Sequence, residues 1–530
     1  MNMKLSAILL VAGFHGSAAF VPSPQSQVTR SFARSPTTLG AMLKFGKDSP
    51  EASLPKTVIP GDAKDRPIVI GAGVSGAASA IALKDCGYDP VILEHRSEQS
   101  LLGGAGINLQ TKAIEALNSF GVDTEKLIGM GRRIKTQAYY TPDGRLVSSL
   151  DKAGTDDMPA QIGIHRGQLG KVILDQARAR DIPTLMKHHV STIDQVSDPD
   201  KVFVKTEVRG SIAPSVIEGN MVLGSDGINS IVRKYYITGN RDTDPQRWHG
   251  ATHYRGVAKG FPGFLDKETM ILAGGIAGTK AVVYPITNPD ENGLQDVNWV
   301  LAVEENEINE DPDTYQEHCK ERLKAAGFDL PFLDVFALID GTERFMAWPM
   351  VDLDPLDTWT DARCALSGDA AHGMLPVGSG GAMAALLDAI SLREAFQMEK
   401  EGSIPQKLRK YEDIRYKAAS LHQGKCRLQP AENIVQEAMD AHPTGEIPAE
   451  YGDRIREVMK NIHNPSSSDP PAEVILTMGV SKGIISEEQL ELLTNLFSDD
   501  KTTALDTSEF KELAEEISAA TADSKKVQEA

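Results

Sequence analysis

At 530 residues the chain exceeds one ordinary domain several times over, and 41% hydrophobic with 24% charged residues excludes a disordered or fibrous protein. A formal net charge of -19 opposes contact with a phosphate backbone, so no nucleic acid partner is expected. The 4 cysteines, Cys86, Cys319, Cys364 and Cys426, are scattered with no Cys-x-x-Cys pair, which predicts neither a structural zinc nor a disulfide scaffold.

The amino-terminal segment reads as an address. Met1 to Lys4 is a short positive start, Leu5 to Phe14 is an apolar run too short to span a bilayer, and Ser17-Ala18-Ala19 supplies small residues for cleavage. This predicts a signal peptide over 1–19. From Phe20 to Lys47 there is no Asp or Glu, while Arg30, Arg34, Lys44 and Lys47 supply positive charge. A signal peptide followed by an acid-free stretch that opens on Phe resembles the bipartite presequence of algae with secondary plastids. A plastid transit segment is therefore expected over 20–58, with the secretory pathway as the alternative. No later run is long and apolar enough to read as a membrane span.

Pro67-Ile68-Val69-Ile70 is a short apolar run that leads into Gly71-Ala72-Gly73-Val74-Ser75-Gly76, followed by helix-compatible residues through Lys84. The pattern predicts strand, turn and helix. Gly71 permits the tight turn, Gly73 lets the backbone approach a pyrophosphate, and Gly76 lets the helix pack closely on the strand. The helix N-terminus then offers free amides and a positive dipole end to phosphates. A second apolar strand, Pro90 to Leu93, ends at Glu94, spaced to accept a ribose hydroxyl. The fingerprint predicts a dinucleotide cradle without choosing between FAD and NAD.

Asp226-Gly227 closes a further apolar run at Met221 to Ser225 and is followed by Arg233; by itself it is a polar turn. Between about Trp248 and Val303 the chain alternates like strands, with Tyr254, Tyr284 and Trp299 either as pocket walls or as ordinary core residues. Gly368-Asp369-Ala370-Ala371-His372 then follows Cys364-Ala365-Leu366 and leads through Pro376, Gly378, Gly380 and Gly381 to a helix from about Ala382. Asp369 is suited to a polyol hydroxyl, and the amides before Ala382 to a ring whose reduced form is anionic. His372 titrates near neutrality, yet in this context it is equally suited to a structural role, so no catalytic acid or base is assigned.

A helical extension and linker over 424–472 ends in His463 to Pro471 (HNPSSSDPP), before a helical tail over 473–530. In the tail, Leu490, Leu493, Leu496 and Phe497 precede a polar loop, and Phe510, Leu513 and Ile517 follow it at helical spacing, a layout that resembles one EF-hand. With Glu509 as the last ligand, Ser498, Asp500, Thr502 and Asp506 take the other side-chain positions, but Thr503 stands where the motif demands Gly. Two neutral ligand positions and no turn glycine favour a vestigial helical hairpin over a working calcium site.

Taken together, residues 66–423 resemble the class A flavin monooxygenases, the aromatic hydroxylases related to salicylate and para-hydroxybenzoate hydroxylase, and most of all their phenazine-carboxylate monooxygenase branch. Beyond the motifs above, the likeness includes GAGINL at Gly104 to Leu109, IHRGQL at Ile164 to Leu169 and YRG at Tyr254 to Gly256. It extends to YPI at Tyr284 to Ile286, NWV at Asn298 to Val300 and PMVDLDPLDTW at Pro349 to Trp359. The resemblance implies an α/β fold in which a Rossmann-like FAD-binding domain is interleaved with a mixed-sheet substrate domain (about 245–350) and followed by a helical C-terminal extension. It also implies that Gly71, Gly73, Gly76 and Glu94 hold the ADP half of FAD and that Arg166 lies along the cofactor. Asp226 and Gly227 would stand near the pyrophosphate and NAD(P)H side, Gly368 and Asp369 at the ribityl or pyrophosphate, and Pro376 to Gly381 along the isoalloxazine.

The chain departs from the branch at two places. Asp352-Leu353-Asp354-Pro355 stands where Asp-Arg-Asp-Pro is usual, so a positive charge is missing near the FAD strand. Gly378-Ser379-Gly380-Gly381-Ala382-Met383-Ala384 stands where Gly-Ser-Asn-Gly-Ala-Ser-Gln is usual, so three polar side chains are missing at the flavin end. The implied activity is the NAD(P)H-dependent transfer of one oxygen atom of O2 to an aromatic or other electron-rich small molecule. The departures keep two alternatives: an FAD-dependent reductase or dehydrogenase, and a flavin-binding regulatory protein whose acidic tail recruits a protein partner. A plastid address would point to pigment, quinone or isoprenoid substrates.

Overall fold

The computed structural model describes residues 54–462 apart from 153, 156, 157, 209, 211–213 and 240–245; the address segment and the EF-hand-like tail lie outside the described residues. Pro67–Ile70 and Met221–Gly224 are each buried at all four positions, so neither alternates, as suits parallel strands covered on both faces. They lie at the centre of a six-stranded sheet in the order Thr360–Asp361, Cys364–Leu366, Met221–Gly224, Pro67–Ile70, Val91–Glu94, Thr184–Met186. The neighbours are parallel except at the first pair. Ile70 lies opposite Gly224, and Gly224 opposite Leu366. Three loops far apart in the chain therefore leave one edge of the sheet side by side.

A seven-stranded mixed sheet stands beyond this edge, in the order Met346–Leu353, Gln246–Pro262, Leu294–Glu304, Thr279–Pro285, Thr269–Ala273, Thr136–Tyr140, Leu146–Asp151. One of its faces packs on the helices Tyr315–Ala325 and Val335–Asp340 through Tyr254, Trp299, Leu323 and Leu338. The other face meets the C-terminal helices. Helix Ile404–Leu428 runs without a break through position 424, where the sequence suggested that an appended extension begins. Helices Pro430–Ala441 and Ala449–Asn461 then place Ile434, Val435, Ala438, Ile455 and Met459 in one apolar cluster with Met270, Leu272 and Tyr284 of the sheet. Their i, i+3, i+4 spacing makes a stripe that only the sheet can bury, so 424–462 belongs to the core. No helix among the described residues is long and apolar enough to cross a membrane.

Helix Gly380–Met398 is pinned beside the first sheet by one buried carboxylate. Asp388 Oδ2 accepts from Gly368 N at 2.7 Å and bonds His372 Nε2 at 2.7 Å, while Oδ1 accepts from Arg415 Nε at 2.7 Å. Burial pushes this carboxyl up, but His372 and Arg415 more than offset it and hold its pKa at about 2. The folded value lies below the ordinary 3.8, so the stability this group contributes is present above that value and lost as pH falls toward 2. Asp388→Ala leaves Arg415 buried without its carboxylate and should cost about 3–5 kcal/mol in urea unfolding at neutral pH. The gap between variant and wild type should narrow as pH falls from 3.8 toward 2, because the wild type there gives up the same interaction.

Candidate active site

The three strand ends open onto a cavity of about 890 Å³. At its floor Gly71 turns the chain with φ +105°, and a Cβ there would stand 2.3 Å from Ser225 O, so only glycine permits the two loops to touch. A Cβ on Gly76 would meet Gly71 O at 1.9 Å; this residue packs the helix Val74–Asp85 on the strand and does not border the cavity. Gly73 borders the cavity, and no atom lies within 4 Å of where its Cβ would point. Gly227 and Gly381 have the same open space and also line it.

Glu94 stands at the next strand end, 1% exposed. Its Oε2 accepts from Ala72 N at 3.0 Å and its Oε1 from Arg96 N at 2.8 Å and Arg96 Nε at 3.0 Å. Burial raises the carboxyl, but Arg96 and the two amides outweigh it and keep Glu94 below its ordinary range, hence ionised and accepting. Asp226 borders the cavity and its Oδ2 caps the turn that follows, accepting from Ile231 N at 2.8 Å. Its buried Oδ1 has no partner among the described residues, and burial pushes the carboxyl up. Arg166, first residue of helix Arg166–Arg178, and Asp369, first residue of Asp369–His372, both line the cavity. Asp369 is an exposed residue on the cavity wall, and the protein packed around it raises its carboxyl by desolvation against the charges of His372 and Arg166.

Pro376 and Gly378 line the cavity as well, but Gly368 and Gly380 do not, which corrects the expectation for these two. A Cβ on Gly368 would come within 2.8 Å of Ser75 Cβ, and one on Gly380 within 1.9 Å of His422 Nε2, so both are close-packing positions. The missing polar side chains are explained in the same way. Met383 and Ala384 are 4% and 1% exposed in the core, and Gly380 faces His422, so none of the three departures strips polarity from the cavity. Nor is positive charge missing beside Leu353. Arg427, from helix Ile404–Leu428, reaches Asp352 Oδ2 at 2.6 Å and Asp354 Oδ1 at 2.9 Å. His372 is 1% exposed against Asp388 and does not border the cavity, so it holds the structure together.

Three further motifs meet at one junction: Gly106 N donates to Asn298 Oδ1 at 2.7 Å, and Arg255 Nη2 donates to Gly106 O at 2.8 Å. They join the cradle to the seven-stranded sheet, which roofs the cavity. Along that sheet His253, Arg255, Lys280, Val282, Tyr284, Val300 and Ala302 face the cavity. The residues between them, including Tyr254 and Trp299, face the opposite core, because successive side chains of a strand point to opposite faces. Of the three aromatic residues weighed as walls, only Tyr284 is one. Sequence reasoning missed His253, Lys280 and Glu432; alternation beside Tyr254 carried a signal for His253 and alternation with Tyr284 one for Lys280, and nothing local marked Glu432.

The cradle fits FAD on its own geometry. Two helices, of 12 and 19 residues, begin at the cavity with no side-chain cap, at Gly73 and Ser379, so their first amides are free for a pyrophosphate and for an anionic ring edge. An FAD cradle of this build beneath a sheet roof defines an FAD-dependent monooxygenase of class A. The chain belongs to the family described as FAD binding domain, whose model matches residues 66–422. It is 29% identical over 367 residues to the phenazine 1,6-dicarboxylic acid hydroxylase of Lysobacter antibioticus, covering 66% of this chain and 86% of that one. It is also 29% identical over 360 residues to the aurachin C monooxygenase/isomerase of Stigmatella aurantiaca, covering 67% and 85%. The fold matches that of Klebsiella pneumoniae HpxO complexed with FAD and uric acid, with TM-score 0.60 and 22% identity over 76% of this chain and 97% of that one.

Gly73→Val projects a side chain into the open cradle and should abolish the yellow flavin absorbance of the purified protein while leaving far-ultraviolet circular dichroism unchanged. Gly76→Val, which collides with Gly71 O, should instead destabilise the fold itself.

Proposed function

We propose that this protein uses NAD(P)H and O2 to hydroxylate an aromatic or otherwise electron-rich small molecule held between the segment 376–381 and the seven-stranded sheet. The observation that carries this reading is one continuous cavity, bordered at one end by Gly73 and Glu94 and at the other by Tyr284 and His253. Bound FAD supplies the hydride-accepting and oxygen-activating chemistry. The chain's own residues do the rest. Gly73 and Glu94 hold the adenosine end, Arg166 and Asp369 flank the middle, and the free amides after Ser379 favour negative charge on the reduced ring. Met270, Leu272, Val282, Met350 and Met459 give the substrate end an apolar wall that excludes water.

Purified FAD-loaded protein should oxidise NADH or NADPH faster when its substrate is found among phenolic, phenazine and quinone compounds, and oxygen-18 from O2 should enter the product. Stimulated NAD(P)H oxidation with no labelled product would make the protein a reductase. Residues 1–58 direct the protein to a plastid in this reading, and a fluorescent reporter carrying them should enter the plastid of an alga with secondary plastids; export of the reporter would favour secretion. In this reading the acidic segment 473–530 has no calcium role and is available to a protein partner.

A further inference from the structure

Lys280, on the strand Thr279–Pro285, and Glu432, in the first turn of helix Pro430–Ala441, form an ion pair at 2.9 Å with side chains only 9% and 6% exposed. Both border the cavity, and Glu432 Oε2 has no hydrogen-bond partner among the described residues. His253 and Lys280 both pair in register with Ala302, so the two stand on one face with a single small residue between them. His253 Nε2 is buried and makes no hydrogen bond among the described residues. Burial, with Lys280 and Arg255 nearby, depresses this imidazole to about 3, so it is neutral in the physiological range and able to donate or accept. Arg255 lies one row nearer the cradle and donates to Gly106 O.

A cation in an apolar enclosure is what a carboxylated ring requires, and here the cation of Lys280 is already neutralised. A carboxylate brought beside the pair would find no free cation there and would have to turn to Arg255, one row away and already bonded to Gly106 O. We propose that the compartment takes an uncharged, mainly apolar ring compound whose hydroxyl or carbonyl bonds His253, and that Glu432 is a specificity residue that excludes carboxylated rings by occupying Lys280. This rests on the monooxygenase reading, whose site it refines.

The test is equilibrium binding to FAD-loaded protein, read by calorimetry and by perturbation of the flavin spectrum, with 2-naphthol and 3-hydroxy-2-naphthoate as probes. Wild type should bind 2-naphthol at least roughly tenfold more tightly than the carboxylated probe. Glu432→Gln should tighten binding of 3-hydroxy-2-naphthoate by roughly tenfold or more, because it frees the cation of Lys280. Wild type binding the carboxylate as tightly as the naphthol would overturn the proposal and place the anion on Arg255; so would an FAD-loaded Glu432→Gln with unchanged preference. The paired change Lys280→Met with Glu432→Met removes both charges together and so leaves neither partner buried without the other. It should keep 2-naphthol binding and still reject the carboxylate, whereas loss of 2-naphthol would show that the ion pair itself is the ligand group. His253→Phe should weaken 2-naphthol about tenfold and leave naphthalene unchanged; equal weakening of both refutes the hydrogen bond. No arm depends on turnover, so oxygen-18 incorporation judges the monooxygenase reading separately.

Discussion

The cavity depends on the parallel register of three strands and on the backbone contact that this register permits. Ile70, Gly224 and Leu366 end at one level, and the ladder continues just past them: Ser225 N donates to Ile70 O at 2.8 Å and Ser367 N to Gly224 O at 2.9 Å. On the other side Gly71 N donates to Leu93 O at 2.7 Å. The turns that carry Gly73, Asp226 and Asp369 are thus anchored at their bases by main-chain hydrogen bonds, and the carboxylates of Glu94, Asp226 and Asp388 bond the amides of Ala72, Ile231 and Gly368 within or just beyond them. A Cβ at Gly71 would break this arrangement at its centre, since it would require Ser225 O to move.

The helices that follow residue 403 add a wall to the cradle through Glu432 and Met459. Gln423 Nε2 donates to Leu353 O at 2.6 Å and to Gly373 O at 3.0 Å, tying the last strand of the roof to the segment that precedes Pro376. Arg427 adds its bonds to Asp352, Asp354 and Leu353 O, the last at 2.8 Å. A helix that fastens both the roof and the flavin segment then delivers Glu432 to Lys280 two residues after its successor begins. Cofactor support and substrate recognition are therefore built from one stretch of chain, and a ring compound entering the cavity meets a wall that the family-matched residues 66–422 do not complete.

The glycine fingerprint was legible because each glycine answers to a local need of the backbone, a turn at Gly71 and a close helix–strand approach at Gly76. Position 380 was misread from sequence, since a glycine beside a flavin segment and a glycine beside His422 look alike until the helix that carries His422 is placed. The same holds for Leu353, where the expected guanidinium arrives from residue 427. Tyr254 and Trp299 were open between wall and core; their strands fix only that they face away from Arg255 and Val300, and the packing of helix Val335–Asp340 decides that this side is dry interior.

The sequence by itself determined the glycine turn and its helix, the place of Glu94 at the end of the second strand and the alternating sheet that follows, because these are set by residue periods and by backbone conformations only certain residues adopt. Only the tertiary structure decided which face of that sheet borders the cavity, and which charges meet there. Lys280 and Glu432 are separated by a long stretch of chain and carry no shared local pattern. Their pairing exists because an apolar helical stripe had nowhere to be buried except against the roof.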